Sequence, residues 1–124
     1  MDPAALRELH WHPNADEWQY LLTGTIRATL FGSRGRYREA SLDVGDVGYI
    51  PQGSGLSLEN VGSETARILI VCNSGTYETV AVSQWITGQP VDVLAVNFGT
   101  SAATFEAFPK RDAFITRRLA ARLP

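Results

Sequence analysis

A series of seven short β-prone runs between residue 6 and about residue 82 most constrains the fold of this chain. Glycine, asparagine, proline or serine separates each run from the next. Regular spacing of this kind is typical of antiparallel sandwiches and barrels, and it argues against alternating strand–helix units. The sequence therefore predicts an all-β core over residues 6–82.

The C-terminal third changes character at about residue 84. Residues 84–98 read QWITGQPVDVLAVNF, and a stretch rich in alanine and arginine follows. We predict a helical extension over residues 84–122, in which Thr100 or Ser101 caps one helix. A chain of 124 residues can bury one sizeable core without disulfides, so residues 1–124 are predicted to form a single domain.

Composition excludes several classes of partner. A net charge of -2 gives no general attraction to nucleic acid or to anionic lipid. No apolar run approaches the length of a membrane span, and the N-terminal residues lack the pattern of a secretion signal, so we expect a cytoplasmic protein. The single cysteine, Cys72, lies in the apolar run ILIVC, which predicts a buried and inert thiol.

Two histidines and a glutamate stand at metal-ligand spacing within the stretch HWHPNADEW. Side chains at i and i+2 of a strand point to the same face, so His10 and His12 can aim at one point while Trp11 faces away. The residues PNAD suit a turn that would bring Glu17 onto a neighbouring strand facing the same point. Two imidazoles and a carboxylate could hold Mn, Fe, Co, Ni or Zn. The alternative is a pair of histidines in an ordinary half-buried strand.

The longer stretch HWHPNADEWQYLLTG resembles the first cupin motif, whose residues are here His10, His12, Glu17 and Gly24. Residues 45–60, GDVGYIPQGSGLSLEN, resemble the second cupin motif. More narrowly, RELHWHPNADEWQY and GDVGYIP are similar to the C-terminal half of bicupin oxalate decarboxylases. The resemblance implies a cupin barrel, which is a jelly roll or double-stranded β-helix, with His10, His12 and Glu17 as metal ligands.

Two positions depart from the family pattern. Where the family has a fourth metal ligand, a histidine, this sequence has Leu56, which cannot coordinate metal. Where the oxalate decarboxylases have a glutamate near the metal, it has Ile70. Oxalate decarboxylation is therefore not the expected activity, and a metal with only three ligands would be weakly bound or absent.

Arg7 matches an arginine that the family uses close to its anionic substrate. A guanidinium suits the recognition of a carboxylate. The alternative for Arg7 is a surface position on a strand.

Two classes of function follow from these residues. The first is a lyase or isomerase that acts on a small carboxylate- or carbonyl-bearing compound, with Glu17, Arg7 and His10 as catalytic residues. Without metal, Glu17 could act as a general base. The second is a non-catalytic small-molecule-binding or assembly module derived from an oxalate decarboxylase. The cluster of ionisable groups favours the first class, and Leu56 and Ile70 favour the second.

Strand alternation predicts the pocket wall and the outer surface. Gln19 and Leu21 should face inward beside Glu17, as should Ile68, Ile70 and Cys72 on another strand, which makes the pocket apolar. Only nine residues precede His10, fewer than cupins of this type have, which implies an open sheet edge. The aromatic residues predicted to face outward are Trp11, Trp18 and Tyr20. We predict a homodimer or larger homo-oligomer that covers both features.

Overall fold

Two antiparallel sheets, three short helices and a final strand make up the computed structural model, which describes residues 1–111 and 113–117. The strands are β1 (Ala5–Trp11), β2 (Glu17–Thr23), β3 (Ile26–Phe31), β4 (Tyr37–Leu42), β5 (Val47–Ile50), β6 (Gly55–Asn60), β7 (Arg67–Cys72), β8 (Val80–Ala81) and β9 (Ile115–Arg117). The helices are α1 (Val82–Thr87), α2 (Val91–Phe98) and α3 (Ala102–Glu106). The predicted all-β core is confirmed.

The larger sheet has the strand order β4-β3-β6-β1-β8, and β9 also pairs with β1. The smaller sheet has the order β5-β2-β7. The hydrophobic core contains residues from both sheets, namely Leu21, Ile26, Ile50, Leu56, Leu58 and Ala66. This arrangement is the predicted jelly-roll sandwich, with its core between the two sheets.

Strict alternation along β2 decides which side chains reach the interior. Glu17, Gln19 and Leu21 are buried, whereas Trp18 and Tyr20 are 48% and 42% exposed on the opposite face. Because the side-chain period of a strand is two, a register slip of one residue would exchange these two sets. The register of β2 against β5 and β7 therefore determines whether Glu17 reaches the interior at all.

The helical extension predicted over residues 84–122 is only partly present. Among the described residues the last helix ends at Glu106, and Ile115–Arg117 forms a strand against β1. Residues 112 and 118–122 lie outside the described residues. This strand forms because β1 offers unpaired backbone groups there, and the amide of Glu8 donates to the carbonyl of Phe114. The cap at Ser101 is confirmed, since its Oγ accepts from the Ala103 amide at 3.3 Å.

The open edge expected near the first strand is absent. β1 has β6 on one side and both β8 and β9 on the other. The outward-facing Trp11 is also covered within the chain, since its ring packs against Trp85 of α1 with the centroids 6.4 Å apart. Among the described residues, no helix is long and apolar enough to cross a membrane.

Candidate metal centre

Two histidines from the end of β1 and a glutamate from the start of β2 converge inside the sandwich. His10, His12 and Glu17 are each no more than 4% exposed, and their ligand atoms all lie within 4.8 Å of one another. The expectation that Glu17 lies on a strand neighbouring β1 is wrong, because β1 and β2 belong to different sheets. The cluster therefore bridges the two sheets.

Hydrogen bonds hold the connection between β1 and β2 to the segments that follow β5 and β7. The carboxylate of Asp16 accepts from the Gln52 amide at 2.8 Å and from Asn73 Nδ2 at 2.9 Å. The carbonyl of His12 accepts from the Gly53 amide at 2.9 Å. These bonds hold the crossing segment and so fix where Glu17 enters its strand.

Backbone carbonyls orient both imidazoles. His10 Nδ1 lies 2.7 Å from the Glu8 carbonyl oxygen, and His12 Nδ1 lies 2.7 Å from that of Glu78. A carbonyl only accepts, so each Nδ1 carries the hydrogen and each Nε2 keeps a lone pair. Burial lowers the pKa of His10, which favours the neutral imidazole that a metal requires. Histidines that ligate metals are usually held in this way.

Glu17 faces His12 with one oxygen and Gln19 with the other. Its Oε2 lies 2.9 Å from His12 Nε2, and its Oε1 accepts from Gln19 Nε2 at 2.6 Å. Two lone-pair-bearing atoms this close require a proton or a metal ion between them. The donor set of two Nε2 atoms and one carboxylate oxygen suits a divalent transition metal.

A cavity of about 640 Å³ opens onto this cluster and has Arg7 in its wall. Arg7 is 7% exposed, and its Nη1 donates to the Phe114 carbonyl at 3.3 Å. The Phe114 ring centroid lies 4.0 Å from the guanidinium carbon. Nothing in residues 1–111 or 113–117 accepts a hydrogen bond from Arg7 Nη2, which is buried. Arg7 is therefore no ordinary surface residue, since a residue of the cavity wall keeps a buried cationic donor that no acceptor among the described residues uses.

The rest of the cavity wall is largely apolar, as predicted, but its composition differs in part. Ile68, Ile70 and Cys72 line it, whereas Gln19 and Leu21 do not. Gln19 is behind Glu17, and Leu21 belongs to the hydrophobic core. Cys72 is half-buried rather than fully buried. The pKa of its thiol is raised, mainly by partial burial and to a smaller extent by the negative charge of Glu17.

Leu56 lies opposite His10 in the register between β6 and β1, and it is packed into the core. Strand partners directly opposite each other point to the same face of a sheet, so Leu56 is on the face that carries the histidine cluster.

Two further aromatic residues in the wall were missed by sequence reasoning. Phe114 contacts Arg7 from more than a hundred residues away, and the Tyr77 ring centroid lies 5.3 Å from that of His12. Neither residue stands in a motif, because both reach the cavity through tertiary contacts alone. Only the pairing of β9 with β1 brings Phe114 to Arg7.

A model of the cupin family matches residues 1–105, so the fold and the site together define a cupin. The chain belongs to the cupin family. Among its particular relatives is the oxalate decarboxylase OxdC of Bacillus subtilis (strain 168), 42% identical over 90 residues that make up 73% of this chain and 23% of that protein. An oxalate decarboxylase of Arthroderma benhamiae is 33% identical over 116 residues, 93% of this chain and 27% of that protein.

The comparison with solved structures also finds an oxalate decarboxylase. A structure of the Bacillus subtilis oxalate decarboxylase, an enzyme with Mn(II) centres, superposes with a TM-score of 0.90 at 33% identity, over 96% of this chain and 32% of that one. This chain thus spans less than a third of the length of the decarboxylases that it matches.

Proposed function

We propose that this chain is a cupin lyase or isomerase that acts on a small carboxylate- or carbonyl-bearing compound at a divalent metal held by His10, His12 and Glu17. The orientation of the two imidazoles carries the proposal. Both Nδ1 atoms are used by backbone carbonyls, so both Nε2 atoms are left for the centre that Glu17 also faces. The relation to oxalate decarboxylases with Mn(II) centres makes manganese the first metal to test.

Arg7 and the apolar wall support a substrate with a carboxylate head and an apolar body. The buried Nη2 of Arg7 would donate to the carboxylate, and Ile68, Ile70 and Ile115 would contact the body. Transferring apolar surface out of water stabilises such a complex by about 25 cal/mol per Å². A cavity of about 640 Å³ is much larger than oxalate requires.

A bound metal would polarise a carbonyl or carboxylate of the substrate as a Lewis acid. The residues of the chain would place that group, with Arg7 holding the carboxylate. When no metal is present, a proton shared between His12 Nε2 and Glu17 Oε2 would occupy the same space. Glu17 would then be the general base and His10 a neutral neighbour.

Metal analysis of protein purified without chelator tests the metal centre. We expect Mn(II), Co(II) or Zn(II) to bind in a titration against a competing chelator, and we expect His12→Ala and Glu17→Gln to lose that binding. Phe31→Ala, on the outward face of β3, is the control. Equal metal binding by the wild type and both site variants would overturn the proposed centre.

The enzymatic part is tested by following short-chain oxo acids and hydroxy acids by NMR. Consumption that depends on Arg7, Glu17 and His12 would support a lyase or isomerase. Binding without turnover across the panel would favour the second candidate, a non-catalytic binding module. That candidate is favoured by the two aliphatic residues Leu56 and Ile70, at positions where the resemblance to the decarboxylases implies a histidine and a glutamate.

We propose further that oxalate is not turned over at a useful rate. Ile70 lines the cavity but can neither give nor take a proton, and Leu56 is part of the core. The measurement is the release of formate and carbon dioxide from oxalate with Mn(II)-saturated protein. Turnover at the rate of an enzyme would show that neither a fourth ligand nor a carboxylate at position 70 is needed.

We also propose that the chain works as a homodimer or larger homo-oligomer. Seven apolar side chains, each 42–59% exposed, form the outer face of the smaller sheet: Trp18, Tyr20, Leu22, Val47, Tyr49, Leu69 and Val71. This outer sheet face has no charged member, so it suits a second copy of itself in a two-fold pair.

A further inference from the structure

The two oxygens of Glu17 have different neighbours, although they belong to one carboxylate. Oε2 faces the histidine cluster, 2.9 Å from His12 Nε2. Oε1 accepts a hydrogen bond of 2.6 Å from Gln19 Nε2, and both side chains are 2% exposed. A hydrogen bond to a carboxylate is about twice as strong as one between neutral groups, so Oε1 is committed to Gln19.

Gln19 is buried behind Glu17 and is not part of the cavity wall. The two residues are two positions apart on β2, so their side chains share a face and the amide can reach back to the carboxylate. Gln19 therefore cannot be a ligand in the cavity, but it can decide how Glu17 is turned.

Gly48 makes room for this amide on the neighbouring strand. Gly48 lies opposite Gln19 in the register between β2 and β5. A Cβ at position 48 would lie 2.9 Å from Gln19 Oε1 and 3.4 Å from Gln19 Cβ. Any larger residue at position 48 would press on the amide and push it out of its place.

We propose that Gln19 is a positioning residue that keeps Glu17 as a one-oxygen ligand. The inference rests on the proposed metal centre. By occupying Oε1, Gln19 leaves Oε2 alone to face the metal and fixes its direction. Groups that hold a ligand from behind in this way commonly change metal affinity about 10- to 100-fold when they are removed.

Gln19→Met tests the proposal because methionine keeps the length of the side chain and removes the donor. We expect the affinity for Mn(II), from the EPR signal of the free ion, to fall about tenfold or more. We also expect the zero-field splitting of bound Mn(II) to change, because the freed carboxylate can turn. Leu21→Met, two residues further along the same face and 1% exposed, is the matched control and should change neither quantity.

Gly48→Ala provides a second route, which displaces the Gln19 amide without substituting Gln19 or Glu17. Gly48→Ala should shift the Mn(II) affinity and the zero-field splitting of bound Mn(II) in the same direction as Gln19→Met does. It tests the proposal even if Gln19→Met does not fold. If the wild type binds Mn(II), and folded Gln19→Met and Gly48→Ala bind it with unchanged affinity and unchanged EPR spectra, the role of Gln19 is overturned. Equal effects of Leu21→Met would overturn it too, whereas wild-type protein that binds no metal would overturn the proposed centre.

Discussion

Arg7 is a buried cation held on one side only. Its Nη1 and the face of its guanidinium are used by Phe114, and its buried Nη2 has no acceptor among the described residues. A buried donor of this kind costs about 1–3 kcal/mol when it is left unsatisfied. An anionic ligand that satisfies Arg7 would recover this free energy, so Arg7 is the residue on which ligand affinity should depend most.

Arg7→Gln should weaken the binding of butyrate, a carboxylate with an apolar body, about tenfold or more, since a charge-assisted hydrogen bond is lost. Isothermal titration calorimetry measures the change. Arg27→Gln is the control, because Arg27 pairs with Glu59 outside the cavity. Equal affinity in the wild type and Arg7→Gln would remove Arg7 from the binding site.

Leu56→His should raise the affinity of the centre for Mn, Co or Zn. Leu56 lies opposite His10 on the face that carries the histidine cluster, so a new imidazole there could supply a fourth ligand. A titration against a competing chelator checks this, and activity on oxalate should stay absent because Ile70 remains. Unchanged metal affinity in a folded variant would mean that position 56 does not face the centre.

At the scale of elements, the residue that follows β2 packs tightly against the residue that precedes β7 in the smaller sheet. Gly24 follows β2 with φ +81°, and a Cβ there would lie 2.8 Å from the Cα of Ala66, which precedes β7. Gly45 also has a positive φ, +94°, but a Cβ there would meet nothing within 4 Å. The two glycines thus share a backbone requirement and differ in their contact with a neighbouring element.

Gly24→Ala should lower the free energy of unfolding by roughly 2–5 kcal/mol, since it combines positive-φ strain with a clash against backbone. Gly45→Ala should cost only the strain, roughly 1–2 kcal/mol. Urea unfolding followed by circular dichroism measures both. Equal losses of unfolding free energy in the two variants would mean that contact with Ala66 does not restrict the size of the residue at position 24.

At the scale of the whole molecule, the outer sheet face is a large exposed apolar surface among the described residues. The rings of Trp18 and Tyr49 pack there in a tilted arrangement with their centroids 4.6 Å apart, and Leu69 and Val71 lie beside them on β7. Trp11, by contrast, has Trp85 as its neighbour. Association of two copies would remove the outer sheet face from water, and stable interfaces bury about 800 Å² on each partner.

Leu69→Lys should therefore convert the proposed oligomer to monomers, because two lysines would be buried opposite an apolar face. Light scattering at micromolar concentration measures the mass. Val96→Lys is the control, since Val96 is 84% exposed on α2 and away from the outer sheet face. A monomeric wild type would contradict the proposed assembly, and an oligomeric Leu69→Lys would place its interface elsewhere.

Much of the barrel and the identity of the histidine cluster could be predicted from the sequence, because both depend on local patterns. Alternation along β2 placed Glu17 inward, and the HxH spacing placed His10 and His12 on one face. The apolar character of the wall at Ile68 and Ile70 followed from the same alternation. Short-range geometry of the chain is enough for conclusions of this kind.

Contacts between residues far apart in sequence could be decided only by the tertiary structure. It carried the chain from one sheet to the other between His12 and Glu17, where the sequence suggested neighbouring strands. It paired β9 with β1, so that Phe114 reached Arg7, and it placed Gln19 behind Glu17 rather than in the cavity. Local patterns specify which face a side chain takes, whereas the packing of the sheets specifies what that face meets.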